Sequence, residues 1–440
     1  MGISQKLFYS FIVPLPLKLR WAGFFLILLC TASCNTVDPP PDKTVLTLTL
    51  EDVSCTEAWI TLTTNNLQLP ATLNLIKDNT TTKTINLITA DTLLYIDSLL
   101  PNQTYNFQAI SQSSNQSIKS NEIAAATLDT TSHNFTWQTF TFGEHSSSVL
   151  YDVAIVGDEI WAVGEIYMYD SLGNSISYNA VHWNGSDWEL KRILYKGGFW
   201  AIRTIYAFSE NDIWFSGYIR YQNGQFIELT IPDILIGWGI NKLWGSSSSD
   251  LYVVGNNGNI AHWNGSKWTK IESGTTLPIQ SIWGSNNNKG EKEIICIASD
   301  KVLNSGSKVL QIIDNNINEL NTTGLPWSLS SIWFESQRKY YIGGDGIYTA
   351  LNKNDGWKAE EIPPLLYKHT IYGNALNDIV IAGAYGLILH YNGNSWQHLM
   401  GDLSDYSNNL SVKLTDRTMV VVGMQTGIQG YQARIIMGKR

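Results

Sequence analysis

The 440-residue sequence predicts an all-β protein, a small two-sheet sandwich followed by a ring of repeated four-stranded sheets. Three observations predict it. From about residue 45 to 128, short runs alternate apolar and polar residues with period two, the mark of half-buried strands. Beyond residue 130 a pattern of about 40 residues recurs. Charged residues make up only 15% of the chain against 44% apolar, which argues against a disordered chain or a charged coiled coil. The net charge of −9 argues against nucleic acid as a partner, because phosphate contacts need Lys and Arg.

Residues 1–33 carry Lys6, Lys18 and Arg20 and no acid. The apolar run from Trp21 to Cys30 is about 15 Å long as a helix, half of a hydrocarbon core, and suits the h-region of a signal peptide. Thr31-Ala32-Ser33-Cys34 then resembles a bacterial lipobox, with Thr31 in the place of the usual leucine. The resemblance implies an acylated Cys34 that becomes the mature N-terminus and ties the protein to a lipid membrane. Asn35, where an Asp would stand for retention, is similar to lipoproteins sent to the outer membrane. The expected location is the bacterial cell envelope. Removal of residues 1–33 leaves a charge of −12. Residues 34–44, with Pro39, Pro40 and Pro41, read as a polyproline II tether. The remaining cysteines, Cys55 and Cys296, fall in different expected domains and read as buried thiols.

Residues 45–128 contain about seven strand-like runs, among them Val45–Leu50, Ala58–Leu62, Ala71–Ile76 and Tyr105–Ala109. That number fits a two-sheet sandwich. Leu99-Leu-Pro101-Asn-Gln-Thr-Tyr105-Asn-Phe107 resembles the tyrosine corner of an immunoglobulin-like fibronectin type III domain. The resemblance implies that Leu99 plugs the core, that Tyr105 bonds back to the backbone near Pro101, and that Trp59 is the buried core tryptophan. Such domains usually serve as spacers.

The repeat in residues 129–440 is clearest at Ile240-Asn-Lys-Leu-Trp244-Gly245, Asp250-Leu-Tyr-Val-Val-Gly255, Asn259-Ile-Ala-His-Trp263, Asn264-Gly265 and Trp268-Thr-Lys-Ile271. It reads as four strands, the last two joined by an Asn-Gly type I′ turn. The residue closing the second strand recurs at Gly164, Gly217, Gly255, Ala298, Gly343, Gly383 and Gly423. Seven second strands predict a seven-bladed β-propeller. Its last blade lacks a fourth strand. Phe135-Thr-Trp137-Gln-Thr-Phe140 matches the missing piece, so residues 135–142 are expected to pair with the C-terminal strand and close the ring. The repeat resembles the propellers of exported bacterial lipoproteins, with the look of sialidase-like and photosystem-assembly-factor-like rings.

No HExxH, CxxC, P-loop or GxSxG motif occurs. His182, His262 and His390 hold the same place in separate blades and read as packing residues, so no metal or other cofactor is expected. Trp188, Trp244, Trp263, Trp268, Trp283, Trp333 and Trp396 sit at repeat positions and read as packing between blades. The propeller therefore reads as a binding scaffold for a protein or glycan rather than an enzyme. The alternative is a sialidase-like glycan hydrolase using the central pocket, which needs an arginine cluster and carboxylates. The connection Glu165–Asn179 is the longest between a second and third strand. Long loops on rigid scaffolds often carry function, so Tyr167, Tyr169, Asp170 and Tyr178 are candidate binding residues. Tyr195, Trp200 and Trp238, in connections between blades, and Tyr385 complete the candidate rim.

Overall fold

The computed structural model describes residues 43–113, 116–230, 237, 239–302, 306–400 and 406–440. Cys34, residues 35–42 of the tether and Trp238 lie outside the described residues.

Strands Val45–Val53, Ala58–Asn65 and Asp91–Ile96 form one sheet. Ala71–Lys77, Thr80–Leu87, Thr104–Ser113 and Gln116–Ala126 form a second. Because side chains alternate faces along a strand, Leu46, Leu48, Ile60, Leu62, Leu73, Leu75 and Phe107 all point into one core shared by the two sheets. Leu99 is buried in that core, and the Leu100 N–H donates to the Tyr105 hydroxyl at 2.9 Å.

Trp59 corrects the sequence reading. It is 2% exposed but does not belong to the sandwich core. Its neighbour Ile60 faces inward, so alternation turns Trp59 outward, where it packs with Trp333, Tyr341 and Ile371 of the ring. Around it, Arg338 Nε bonds Asp52 Oδ2 at 2.8 Å and Lys339 Nζ bonds Glu57 Oε1 at 3.1 Å. Thr131 Oγ1 donates to the Asn377 carbonyl, and the Cys55 thiol sits over the Gly393 turn. The sandwich is thus docked through a buried apolar contact flanked by ion pairs, whereas a spacer was expected.

Residues 136–439 form seven four-stranded sheets among the described residues, plus a small hairpin of Leu194–Tyr195 and Gly198–Phe199. The first strands run Val149–Val156, Ile205–Ser209, Ile240–Ser247, Ile279–Asn286, Leu329–Glu335, Lys368–Ala375 and Asn408–Leu414. Each packs against the first strands of the sheets before and after it, and the last packs against the first, so these strands surround a common axis. In the last sheet Thr136–Phe142 supplies the outer strand, with Trp137 opposite Gly438 and Thr136 opposite Lys439. This antiparallel pairing joins the two ends of the ring and leaves no unpaired edge at the seam.

The Trp-Gly dipeptides follow from packing between sheets. A Cβ on Gly284 would collide with the Trp244 ring of the preceding sheet, and one on Gly373 with the Trp333 ring. The Trp283 indole N–H reaches forward to the Phe334 carbonyl at 3.0 Å. At the ends of the second strands the reason for glycine is backbone proximity. A Cβ at Gly164, Gly255, Gly383 or Gly423 would overlap a carbonyl oxygen at the start of the adjoining first strand or of the residue just before it. In the fifth sheet Gly344 holds that place, not Gly343: it pairs with Leu329 and meets the Ser328 carbonyl, while Gly343 has room.

The Asn-Gly turns also differ from expectation. Asn223-Gly224 has positive φ at both residues, 50° and 81°. At 184, 264 and 392 only the glycine does. There the asparagine side chain accepts N–H bonds from the residues two and three positions on, as Asn264 Oδ1 does from Ser266 and Lys267. A four-residue loop closed by an Asn side chain replaces the two-residue turn.

Candidate functional site

Six of the seven first strands carry a register shift at the same place, where two residues oppose one partner. A bulge turns its extra residue out of the ladder. The residues so displaced are Tyr151, Asn241, Gln280, Ser330, His369 and Leu410, and in the second sheet Arg203 holds the equivalent place. All seven line one cavity of about 220 Å³ on the ring axis. Lys301, on the turn after the second strand of the fourth sheet, joins them.

The next residue of each strand makes a second ring: Asp152, Thr204, Lys242, Ser281, Ser331, Thr370 and Ser411. These side chains stitch neighbouring sheets. Ile205 N–H donates to Asp152, Leu243 N–H to Thr204 Oγ1, Ile332 N–H to Ser281 Oγ and Ile371 N–H to Ser331 Oγ. Two residues further, Tyr206, Trp283 and Tyr372 close the axis from below. Trp283 and Tyr372 meet edge to face at 5.6 Å although their sheets are not adjacent. The cavity is therefore a cup that opens on one face of the ring.

The cup is rich in cations. Arg203 lies 4.3 Å over the Tyr151 ring, and the Tyr151 hydroxyl donates to Glu165 at 2.5 Å. Asp152 is the one carboxylate among the described lining residues. It accepts from Lys242 at 2.8 Å, Ser411 at 2.7 Å and Thr204 at 2.9 Å. Burial alone would raise its pKa, but the Lys242 and Lys413 ammonium groups hold it below the usual carboxylate range. Lys301 is exposed at the cup, and the protein packed about its amine lowers its pKa. Burial, with Lys301 beside it, lowers His369 to about 4, so His369 is neutral at neutral pH.

The sequence-predicted residues scatter. Tyr167 reaches the cup through Glu165, its hydroxyl bonding Oε2 at 2.9 Å while Tyr151 holds Oε1. Tyr169, 48% exposed, packs against His145 with ring centroids 4.4 Å apart and the planes tilted by 34°. Asp170 caps its own turn, accepting the Leu172 and Asn174 N–H groups. The long connection proves to be two extended strands, Glu159–Tyr169 and Ser175–Trp183, with a loop of only 170–174. Tyr178 packs in the core between the first and last sheets, and Tyr195 is buried with its hydroxyl on the Leu229 carbonyl. Trp200 and Tyr385 stay open, at 63% and 45% exposure, and Tyr385 faces the 72% exposed Tyr406.

The repeat histidines are satisfied by acids within their own sheets. His182 bonds Glu159, His262 bonds Asp250 and His390 bonds Asp378, and Arg220 with Asp212 plays the same part in the second sheet. No group of three metal-ligating side chains occurs among the described residues. The other arginines are engaged elsewhere: Arg338 with Asp52, Arg440 with Asp378, and Arg434 with Ser407 and Asn409. They do not converge with Arg203. The lining residues were missed in sequence although a signal exists. Arg203-Thr-Ile-Tyr206, Asn241-Lys-Leu-Trp244, Gln280-Ser-Ile-Trp283, Ser330-Ser-Ile-Trp333 and His369-Thr-Ile-Tyr372 are one four-residue motif whose first residue faces the cup.

Sheets of four antiparallel strands around an axis, with a cup at one end, define a β-propeller. No family model matches the sequence, and no curated protein matches it. Among solved structures the chain is similar to YCF48 bound to D1 peptide, at a TM-score of 0.51 and 14% identity, covering 71% of this chain and 99% of that one. It also matches the C-terminal WD40 domain of Sif2 (TM-score 0.41, 12% identity, 76% and 90% covered) and Trypanosoma rangeli sialidase in complex with sialic acid (0.36, 10%, 67% and 57%). At 14% identity the likeness to YCF48 is one of fold.

Proposed function

We propose that this protein is an exported, lipid-anchored scaffold of the bacterial envelope. A fibronectin type III-like domain carries a seven-bladed propeller that binds a protein segment across the mouth of its cup. The observation that carries the reading is the lining of the cup. Hydrolysis of a glycoside uses two carboxylates about 5–10 Å apart. Here the seven strands offer Asp152, which is fully engaged by Lys242, Ser411 and Thr204. Around the mouth, Trp200, Tyr385 and Tyr406 present flat amphipathic surface of the kind enriched at protein contacts. The similarly folded YCF48, seen with a D1 peptide, supports a peptide as the class of partner.

The docking of the sandwich supports the same reading. It covers the turns at the far ends of the first strands, through Asn288, Arg338 and Asn377, and leaves the mouth free. A photo-crosslinker placed at Tyr385 in the full-length protein in its own cells tests the proposal. One defined protein adduct, lost with Trp200→Ala, is expected. A glycan adduct, or equal labelling from a crosslinker at Leu93 on the sandwich, would overturn it. The Cys34→Ser variant is expected in the soluble fraction, and its retention in membranes would remove the lipid anchor.

A further inference from the structure

Each sheet of the ring ends in an outer strand whose outward edge offers N–H and C=O groups to any chain that can pair with them. Six of these strands are short: Trp188–Lys191, Gln225–Glu228, Trp268–Glu272, Asn316–Leu320, Lys358–Glu360 and Trp396–His398. The first five carry Glu or Lys, and the sixth has only 3 residues. Shortness and charge are the ordinary guards of a strand edge. The seventh outer strand, Thr136–Phe142, has neither guard. It runs 7 residues, Thr-Trp-Gln-Thr-Phe-Thr-Phe, without a charge or a proline. Its inward edge closes the seam on Gly430–Lys439. Among the described residues no strand pairs with its outward edge, and Thr136, Gln138, Thr139 and Thr141 are exposed.

We propose that the outward edge of Thr136–Phe142 pairs antiparallel with the same strand of a second copy, so that two rings join through one continuous sheet. The strand is its own complement. Side chains alternate faces, so residues opposed across a shared sheet lie an even number of positions apart. A two-fold axis through Thr139 is the register that pairs the whole strand. It sets Thr139 against itself, Trp137 against Thr141, Phe142 against Thr136 and Phe140 against Gln138. Threonine against threonine and aromatic against threonine are favourable cross-strand pairs, and no charge meets its like. The same operation on Trp268–Glu272 would set Lys270 against Lys270. Two chains of net charge −9 repel each other, and this uncharged strip on the perimeter is where they can approach. Pairing of one strand with itself consumes both free edges, so the assembly closes as a dimer. The mouth of the cup takes no part in it.

A cysteine on the axis tests the proposal. Directly opposed residues of an antiparallel pair have Cα atoms about 4.5–5.5 Å apart, within reach of a disulfide. Full-length Thr139→Cys, in its own cells with a mild thiol oxidant, is expected to give a covalent dimer that reductant reverses. Unmodified protein, whose Cys55 and Cys296 are buried, is expected to give none. Neither is Thr269→Cys, an exposed position on the outer strand of the third sheet. No dimer from Thr139→Cys, equal yield from Thr269→Cys, or an adduct to a different protein overturns the proposal. Sedimentation of the purified full chain gives a second reading. Thr139→Lys and Thr139→Glu are each expected to weaken self-association by at least about tenfold, and mixing the two to restore it as Lys faces Glu. Thr139 is exposed, so both variants are expected to melt like the wild type. A monomeric wild type, association indifferent to both charges, or a mixture no tighter than either variant overturns the proposal.

Discussion

His369 gives the sharpest stability test, because its side chain is a titrating group held neutral in the cup wall. Burial first, and the Lys301 charge second, lower its pKa to about 4, against about 6.5 in an unfolded chain. As pH falls through 6.5 the unfolded chain takes the proton and the folded chain does not. Stability is therefore full above pH 6.5, is lost as pH falls, and levels off near pH 4. At pH 5 the loss from this residue alone is about 2 kcal/mol. His369→Asn keeps a hydrogen-bonding group toward Asn408, which now lies 3.4 Å from Nε2, and cannot titrate. Urea unfolding at pH 7 and pH 5 isolates the effect. The wild type is expected to lose about 2 kcal/mol more than the variant between the two conditions. His133 and His398 are also lowered by burial and cancel in this difference. The lowered carboxylates Asp152 and Asp378 titrate below the ordinary carboxylate range and stay outside the window. Identical losses in the two proteins would refute the burial argument for His369.

Adjacent glycines offer a paired test. Gly344→Ala drives a methyl into the Ser328 carbonyl and is expected to cost about 1–3 kcal/mol, while Gly343→Ala stays within about 0.5 kcal/mol; thermal melts that rank them the other way contradict the register. Trp59→Ala empties the junction between sandwich and ring. A loss of about 3–5 kcal/mol, with the single calorimetric transition split into two, is expected, and an unchanged single transition would show the junction to be dispensable. Deletion of residues 424–440 removes the partner of Thr136–Phe142 and exposes the edge of the adjoining strand. Aggregated protein by size-exclusion chromatography is expected, and a soluble truncation with a cooperative melt would disprove closure through the seam.

The features legible in sequence share a physical cause: each repeats, or obeys a local rule. Period-two alternation marked the sandwich strands, and recurrence of Trp-Gly marked the first strands of the ring. The match between Phe135–Phe140 and the outer strands of other sheets located the seam. Trp59 misled because alternation says which face a residue takes, not whether that face meets its own partner sheet or another domain. Tyr178 and Tyr195 misled because an aromatic in a long connection reads as exposed until the neighbouring sheet is in place. The cup lining was hidden for a different reason. A bulge breaks period two at one residue, and that residue is free of the packing demands that make a repeat conspicuous. Tyr151, Arg203, Asn241, Gln280, Ser330, His369 and Leu410 have no chemistry in common. Only their C-terminal neighbours, a small polar or charged residue and then a branched aliphatic one, recur from sheet to sheet and betray the place.

That separation of roles says where this ring can vary. The ring of Asp152, Thr204, Ser281 and Ser331 accepts backbone N–H groups of the next sheet, so replacing one leaves a buried donor unpaired at a cost of about 1–3 kcal/mol. Three of the displaced residues one position earlier also reach the next sheet: Asn241 Nδ2 donates to the Ile279 carbonyl, Ser330 Oγ to the Lys368 carbonyl, and His369 Nε2 lies 3.4 Å from Asn408 Oδ1. Gln280 turns to the Ser299 carbonyl of its own sheet, and Arg203 rests on a tyrosine ring. Their side chains can change while the stitching beneath them stays intact. The geometry thus concentrates the N–H stitching in the second ring, while the displaced residues line the cup and, at Asn241, Ser330 and His369, bridge sheets as well.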